Sequence, residues 1–89
     1  MTNVGIILPE DGYWQVAQAL ARRYGALLIA DETHTLCAGP GGCTREWKLA
    51  PDFFVFGKAI GSGIPGATYG CTEEVAQRIS CLLYTSRCV

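Results

Sequence analysis

Apolar positions change their spacing twice within the first thirty residues. Val4 to Leu8 is an unbroken apolar run closed by Pro9, which predicts a buried strand. From Tyr13 the spacing becomes helical. Tyr13, Val16, Ala17, Leu20, Ala21 and Tyr24 fall on one face of a 3.6-residue repeat. Asp11 is placed to cap that helix by accepting free backbone N–H groups. Arg22 and Arg23 stand at its end, where the dipole favours cations, and Gly25 supplies the stop. Ala26 to Ala30 is again unbroken, as in strands of parallel sheets covered on both faces. Strand, helix and strand in this order form a βαβ unit.

Residues 31–51, rich in Gly, Thr and Pro, predict a loop. A third strand is expected over Asp52 to Phe56 and a fourth over Ala67 to Cys71. A second helix is expected from Glu73 to Ile79, with Thr72 as its cap and acids in its first turn. The fold class is therefore α/β. Trp14 lies off the helical stripe and is expected to cover a neighbouring element missing from this fragment. No internal repeat or low-complexity segment interrupts this order.

Composition narrows the function classes. The chain has 89 residues, 49% of them hydrophobic, and a net charge of −1, which describes a globular chain. No basic stripe marks a nucleic-acid partner. No apolar run approaches the roughly 20 residues of a membrane span, and the first residues lack a signal peptide's basic start. Five cysteines at 37, 43, 71, 81 and 88 are odd in number and without C-x-x-C spacing. They read as free thiols in a reducing cytoplasm. The closing stretch CLLYTSRCV, residues 81–89, follows the helical pattern with no cap or turn. It is similar to translated adapter sequence from library preparation. The native unit is therefore expected to be residues 1–80, a partial large domain, with 81–89 a non-native tail.

The chemistry sits where strands end. Asp31-Glu32 closes the second strand, and Lys58 follows the third in FFVFGKAIGSG. Ligands in open α/β sheets gather beyond the carboxyl ends of parallel strands, so Asp31 and Lys58 are expected to share one crevice. Taken singly, a turn aspartate and a solvated loop lysine are the plain alternatives. Small residues around Lys58 predict a partly desolvated amine with a lowered pKa, suited to a Schiff base. The neighbouring glycines let backbone approach a bulky ligand. An aspartate opposite such a lysine suits a protonated heterocycle nitrogen, and pyridoxal 5'-phosphate (PLP) needs both groups.

LLIADETHT, followed by FGKAIGSGIPGATYG, resembles the class III aminotransferases, most nearly their glutamate-1-semialdehyde aminomutase-like members. The leading segment NVGIILPEDGYWQVAQALARRYGALLIADE resembles them too, so the likeness covers about residues 1–80. It implies a fragment of the three-layer large domain of a fold-type-I PLP-dependent transferase. Its sheet would be mainly parallel with an antiparallel last strand, for which the short connection after Lys58 also speaks. It implies a homodimer and a small-molecule amino donor and acceptor. By the same likeness, Lys58 is the catalytic Schiff-base lysine that shuttles a proton, and Asp31 the pyridine-nitrogen partner. Thr33 would pack on one ring face and His34 would lie near the phenolic oxygen. The family commonly continues after Asp-Glu with Val, a variable residue, Thr-Gly-Phe and Arg, where this chain has THTLCAGPGG. A rival reading is a truncated, non-catalytic α/β piece that binds no cofactor.

Other motifs carry less. GSGIPG (61–66) meets the G-x-G-x-x-G spacing but is followed by an extended rather than a helical pattern, against a dinucleotide site. AGPGG (38–42) lacks the Gly-Lys-Ser/Thr of a phosphate loop. Asp31, His34, Cys37 and Cys43 match no common zinc module, and nothing marks Cys37 as a stabilised nucleophile. Glu32, one residue on from Asp31, is expected to face the other way in a structural hydrogen-bonding role. Arg45 to Lys48 reads as loop surface or a subunit contact.

Overall fold

The computed structural model describes residues 5–86, with side chains through Ser80. Helix α1 spans Tyr13–Arg23, strand β1 Ile29–Asp31, the short helix α2 Gly42–Glu46, β2 Phe53–Phe56, β3 Thr68–Cys71 and α3 Glu73–Ser86. The sheet order is β1-β2-β3. β1 runs parallel to β2, with Ala30 opposite Phe54 and Asp31 opposite Val55. β3 runs antiparallel to β2, with Gly70 opposite Phe54. A parallel pair needs a crossover of a dozen or more residues, and residues 32–52 supply it. Residues 57–67 hold only a single 3-10 turn at Lys58–Ile60 and further turns, too short for a crossover, so the chain doubles back into the antiparallel last strand.

Helix α1 keeps its expected bounds, but its start differs. The N-cap is Gly12 in the left-handed region at φ 82°, and no side chain caps the helix. The Asp11 cap is therefore not formed, because Gly12 lies between it and the first turn. The stop is as expected. Gly25 turns left-handed at φ +64°. The Ala26 N–H donates to the Ala21 carbonyl at 2.9 Å and the Gly25 N–H to that of Arg22 at 3.3 Å, the paired bonds of a Schellman motif. Trp14 and Gln18 face the body of the molecule. The element that Trp14 covers is present in this chain, contrary to expectation, for it stacks on Trp47 at 5.7 Å; the Gln18 Oε1 accepts the Ala50 N–H at 2.7 Å. The apolar stripe of Tyr13, Val16, Leu20 and Tyr24 stays exposed.

Three further expectations need correction. Residues 5–8 of the expected first strand join no ladder of the sheet, and Ile6, Ile7 and Leu8 are exposed. Val4 lies outside the described residues. Apolar composition alone proposed this strand, and pairing needs an edge that local sequence does not supply. β1 is also not covered on both faces, since Ile29 is 60% exposed. The predicted loop 31–51 contains α2, whose origin lies in Glu32.

β2 is the centre of the sheet and half-buried throughout. Phe54 lies 5.0 Å from Phe56 and over Gly70, where a Cβ would run into the Phe54 ring. Phe53 and Tyr69 meet at 6.5 Å on the opposite face. The Leu28 N–H donates to Asp52 Oδ2 at 2.8 Å, which ties the amino ends of β1 and β2 together. Thr72 caps α3 as expected, its hydroxyl accepting the Val75 N–H at 3.5 Å. Val75 is the buried apolar residue of the described part, 6% exposed. The expected boundary at Ser80 falls inside α3, which continues to Ser86.

Candidate active site

The parallel register brings the ends of β1 and β2 to one edge, and both predicted polar groups lie there. Asp31 ends β1, and Lys58 follows β2 after Gly57. They line one cavity of about 940 Å³ together with Thr33 and His34. That size suits a small-molecule ligand, for which ~300–1,000 Å³ is usual. Trp14, Cys37, Cys43 and Trp47 complete much of its wall.

Asp31 is locked locally. Its Oδ1 accepts the Thr33 N–H at 2.9 Å. Hydrogen bonds from the Thr33 side chain and backbone lower its carboxyl pKa; burial opposes them, and Lys58 and then His34 add a lesser electrostatic lowering. Asp31 is thus held as a carboxylate, the form that pairs with a protonated ring nitrogen. Thr33 also packs close to Gly57, where a Cβ would lie 3.2 Å from the Thr33 methyl. The small residue before Lys58 therefore lets the 31–33 turn close onto the end of β2.

Lys58 adopts φ 33°, in the left-handed region rarely taken by residues with a side chain. Strain of this kind costs about 1–3 kcal/mol and gathers at functional positions. The expected desolvation of Lys58 is not found, for its side chain is exposed. Its neighbours in the sequence are Gly57 and Ala59, which carry too little side chain to cover it.

Glu32 is the most buried charged group described, at 3% exposure. Its Oε2 accepts the Thr35 hydroxyl and the Cys43 N–H at 3.2 Å. Its Oε1 accepts the Thr44 N–H and the Thr44 hydroxyl at 2.6 Å. Burial pushes its pKa up, but the hydrogen bonds from Thr35, Thr44 and Cys43 outweigh this and leave it lowered. The carboxylate caps α2 from ten positions upstream, satisfying two free N–H groups at the helix start. Gly42 is needed there, because at φ +57° a Cβ would sit 2.7 Å from Glu32 Oε2. The structural role expected of Glu32 is the one observed.

The remaining motifs resolve simply. Gly61 to Gly66 is a turn, with the Ile64 N–H on the Gly61 carbonyl at 2.6 Å, and leads into β3 rather than a helix. Burial, then the charge of Glu32, push the Cys43 thiol up and keep it protonated. The Cys37 thiol donates to the His34 carbonyl at 3.4 Å. Among the described residues no group of three or more His, Cys, Asp or Glu is placed to hold a metal. No helix there is long and apolar enough to cross a membrane. The Arg45–Lys48 patch proves to be the end of α2 and its exit, with Trp47 turned onto Trp14. The sequence had given no role to Trp47 in the cavity wall. Two tryptophans on separate polar segments were the available signal.

The mixed, mostly parallel sheet places this α/β piece among the fold-type-I PLP-dependent transaminases. The profile of the family Aminotransferase class-III matches residues 1–84, and the chain belongs to that family. It is 39% identical over 79 residues to a glutamate-1-semialdehyde 2,1-aminomutase of Anaeromyxobacter sp. (strain Fw109-5), covering 88% of this chain and 18% of that protein. A crystal structure of a glutamate-1-semialdehyde-aminomutase from Pseudomonas aeruginosa PAO1 in complex with PMP superimposes with TM-score 0.87. The identity is 46%, over 93% of this chain and 18% of the other. An omega-transaminase from Sphaerobacter thermophilus superimposes with TM-score 0.75 at 33% identity, over 82% of this chain and 17% of that one. The chain thus spans less than a fifth of the length of these relatives. The family is PLP-dependent.

Proposed function

We propose that this chain carries the cofactor-holding core of a PLP-dependent aminotransferase or aminomutase acting on a small amino acid or amine. The observation that supports this most is the shared cavity of Asp31 and Lys58 at one sheet edge. When bound, PLP supplies an aldehyde that accepts an amine and a protonated ring that draws electrons from the substrate's Cα. The residues present fit that group. Lys58 provides the amine that holds the cofactor covalently, and its Nζ then carries a proton to and from the reacting carbon. Asp31, kept ionised by Thr33, holds the proton on the ring nitrogen. Thr33 packs against one ring face, and His34 stands near the phenolic oxygen. A homodimer and a cytoplasmic location belong to this reading, the first open to test by sedimentation and the second by cell fractionation.

A second reading is a folded piece without cofactor binding. The exposure of Asp31 and Lys58 and the scarcity of buried apolar side chains favour it. One experiment separates the two. The chain contains two lysines, Lys48 and Lys58, and Lys48 does not line the cavity. Incubation with PLP, reduction with borohydride and peptide mapping should place the label on Lys58 in preference to Lys48. Equal labelling of both lysines would favour the second reading.

A further inference from the structure

Glu32 does more than close a turn. Its backbone N–H donates to the Val55 carbonyl at 2.9 Å, which extends the β1–β2 ladder. Its carbonyl accepts the N–H groups of Thr35 at 3.2 Å and Leu36 at 3.0 Å. Its carboxylate holds the start of α2 through Cys43 and Thr44. Its N–H thus anchors Glu32 to the sheet edge, while its carbonyl and carboxylate hold the segment that walls the cavity. Thr35, Cys37 and Cys43 of that wall all lie on the segment so clamped, and Trp47 follows it directly. Thr33, which fixes Asp31, lies on the clamped segment too. No ion pair among the described residues reaches Glu32, so a buried charge is held by neutral donors alone. Such a charge is tolerated only where its donors are fixed in place.

We propose that Glu32 is a positioning residue for the cofactor site, its carboxylate clamping the 33–46 segment so that Asp31 and Lys58 face one well-formed cavity. This rests on the PLP reading above, and the test separates the two. PLP is the probe, and the readout is borohydride-trapped label on Lys58 relative to Lys48 in the full chain. Glu32→Gln keeps the shape but offers an NH₂ where donors already stand. Label on Lys58 should fall about tenfold, the effect of losing one charge-assisted hydrogen bond, while label on Lys48 is unchanged. Thr44→Val removes one of the four bonds and should give a smaller loss. Thr44→Ser keeps the hydroxyl and should restore wild-type labelling. If Glu32→Gln fails to fold by circular dichroism, the Thr44 pair decides the matter. Wild-type Lys58 selectivity that persists in both Glu32→Gln and Thr44→Val overturns the positioning role and leaves the PLP reading intact. Absence of selectivity in the wild-type chain overturns both.

Discussion

Asp31 and Lys58 line the same cavity although a helix and a strand separate them in the chain. The parallel pairing of Asp31 with Val55 brings this about. Had β2 run antiparallel to β1, Lys58 would leave the sheet at the opposite edge. The candidate chemistry is thus a consequence of strand direction, and strand direction follows from the long crossover through α2.

That crossover depends on Gly42. Its positive φ and its closeness to Glu32 Oε2 leave no room for a side chain. Gly42→Ala should destabilise the fold by about 1–3 kcal/mol, from left-handed strain together with a displaced carboxylate. Urea unfolding followed by circular dichroism measures it. A change below a few tenths of a kcal/mol would mean that the Glu32 contact is not rigid.

Gly70 should be similarly intolerant for a different reason. Its φ is unremarkable, but the Phe54 ring occupies the space a Cβ would need. Gly70→Ala should cost about 1–3 kcal/mol by overpacking. Phe54→Leu placed in the same chain should recover part of that loss, because the two sites are in contact and couple. Additive losses in the double variant would show that the ring is not the obstacle.

Lys48 offers the opposite case. It occupies the left-handed position after α2 at φ 51°, with the Leu49 N–H on the Thr44 carbonyl at 2.9 Å and the Lys48 N–H on that of Arg45 at 3.1 Å. This is a Schellman closure with lysine where glycine or asparagine is preferred. Lys48→Asn should raise stability by roughly 0.5–1 kcal/mol, read as an increase in Tm. It should leave PLP labelling of Lys58 untouched. A lowered Tm would show that Lys48 makes a stabilising contact elsewhere.

Acid should loosen the clamp in a defined window. The pKa of Glu32 is lowered in the folded chain despite its burial. A lowered carboxyl contributes stability that is present above its unfolded value, about 4.3. That stability is lost as pH falls from there through the folded value. The stability gap between wild type and Glu32→Gln should therefore be widest near pH 7 and shrink below about pH 4.3. Unfolding free energies at several pH values test this. A gap independent of pH would show that the charge of Glu32 is not what its partners recognise.

Much of this was legible in the residues. Helical spacing with Gly25 as its stop placed α1, and the Schellman bonds at Ala21 and Arg22 show why it ends there. Asp31 and Lys58 were legible because polar groups at the ends of apolar runs stand out. α2 was not legible. It is short and opens on two glycines, and its capping carboxylate comes from Glu32 rather than from its own flank. Local propensity carries no record of a cap supplied across a loop. Over its described residues 5–8 the expected first strand is not formed, for a related reason. Apolar composition can propose an extended segment, but pairing depends on an edge that only tertiary structure provides. The exposed stripe of α1 shows the same limit, since periodicity marks a face without saying what covers it.

A double-mutant cycle on PLP binding tests the central claim most directly. The dissociation constant would be measured for wild type, Asp31→Asn, Lys58→Ala and the double variant. If both residues act on one ring in one cavity, each single change weakens binding and the two effects fall short of adding, with a coupling of about 0.5–3 kcal/mol. Strictly additive effects, or no effect of either change, would contradict the account.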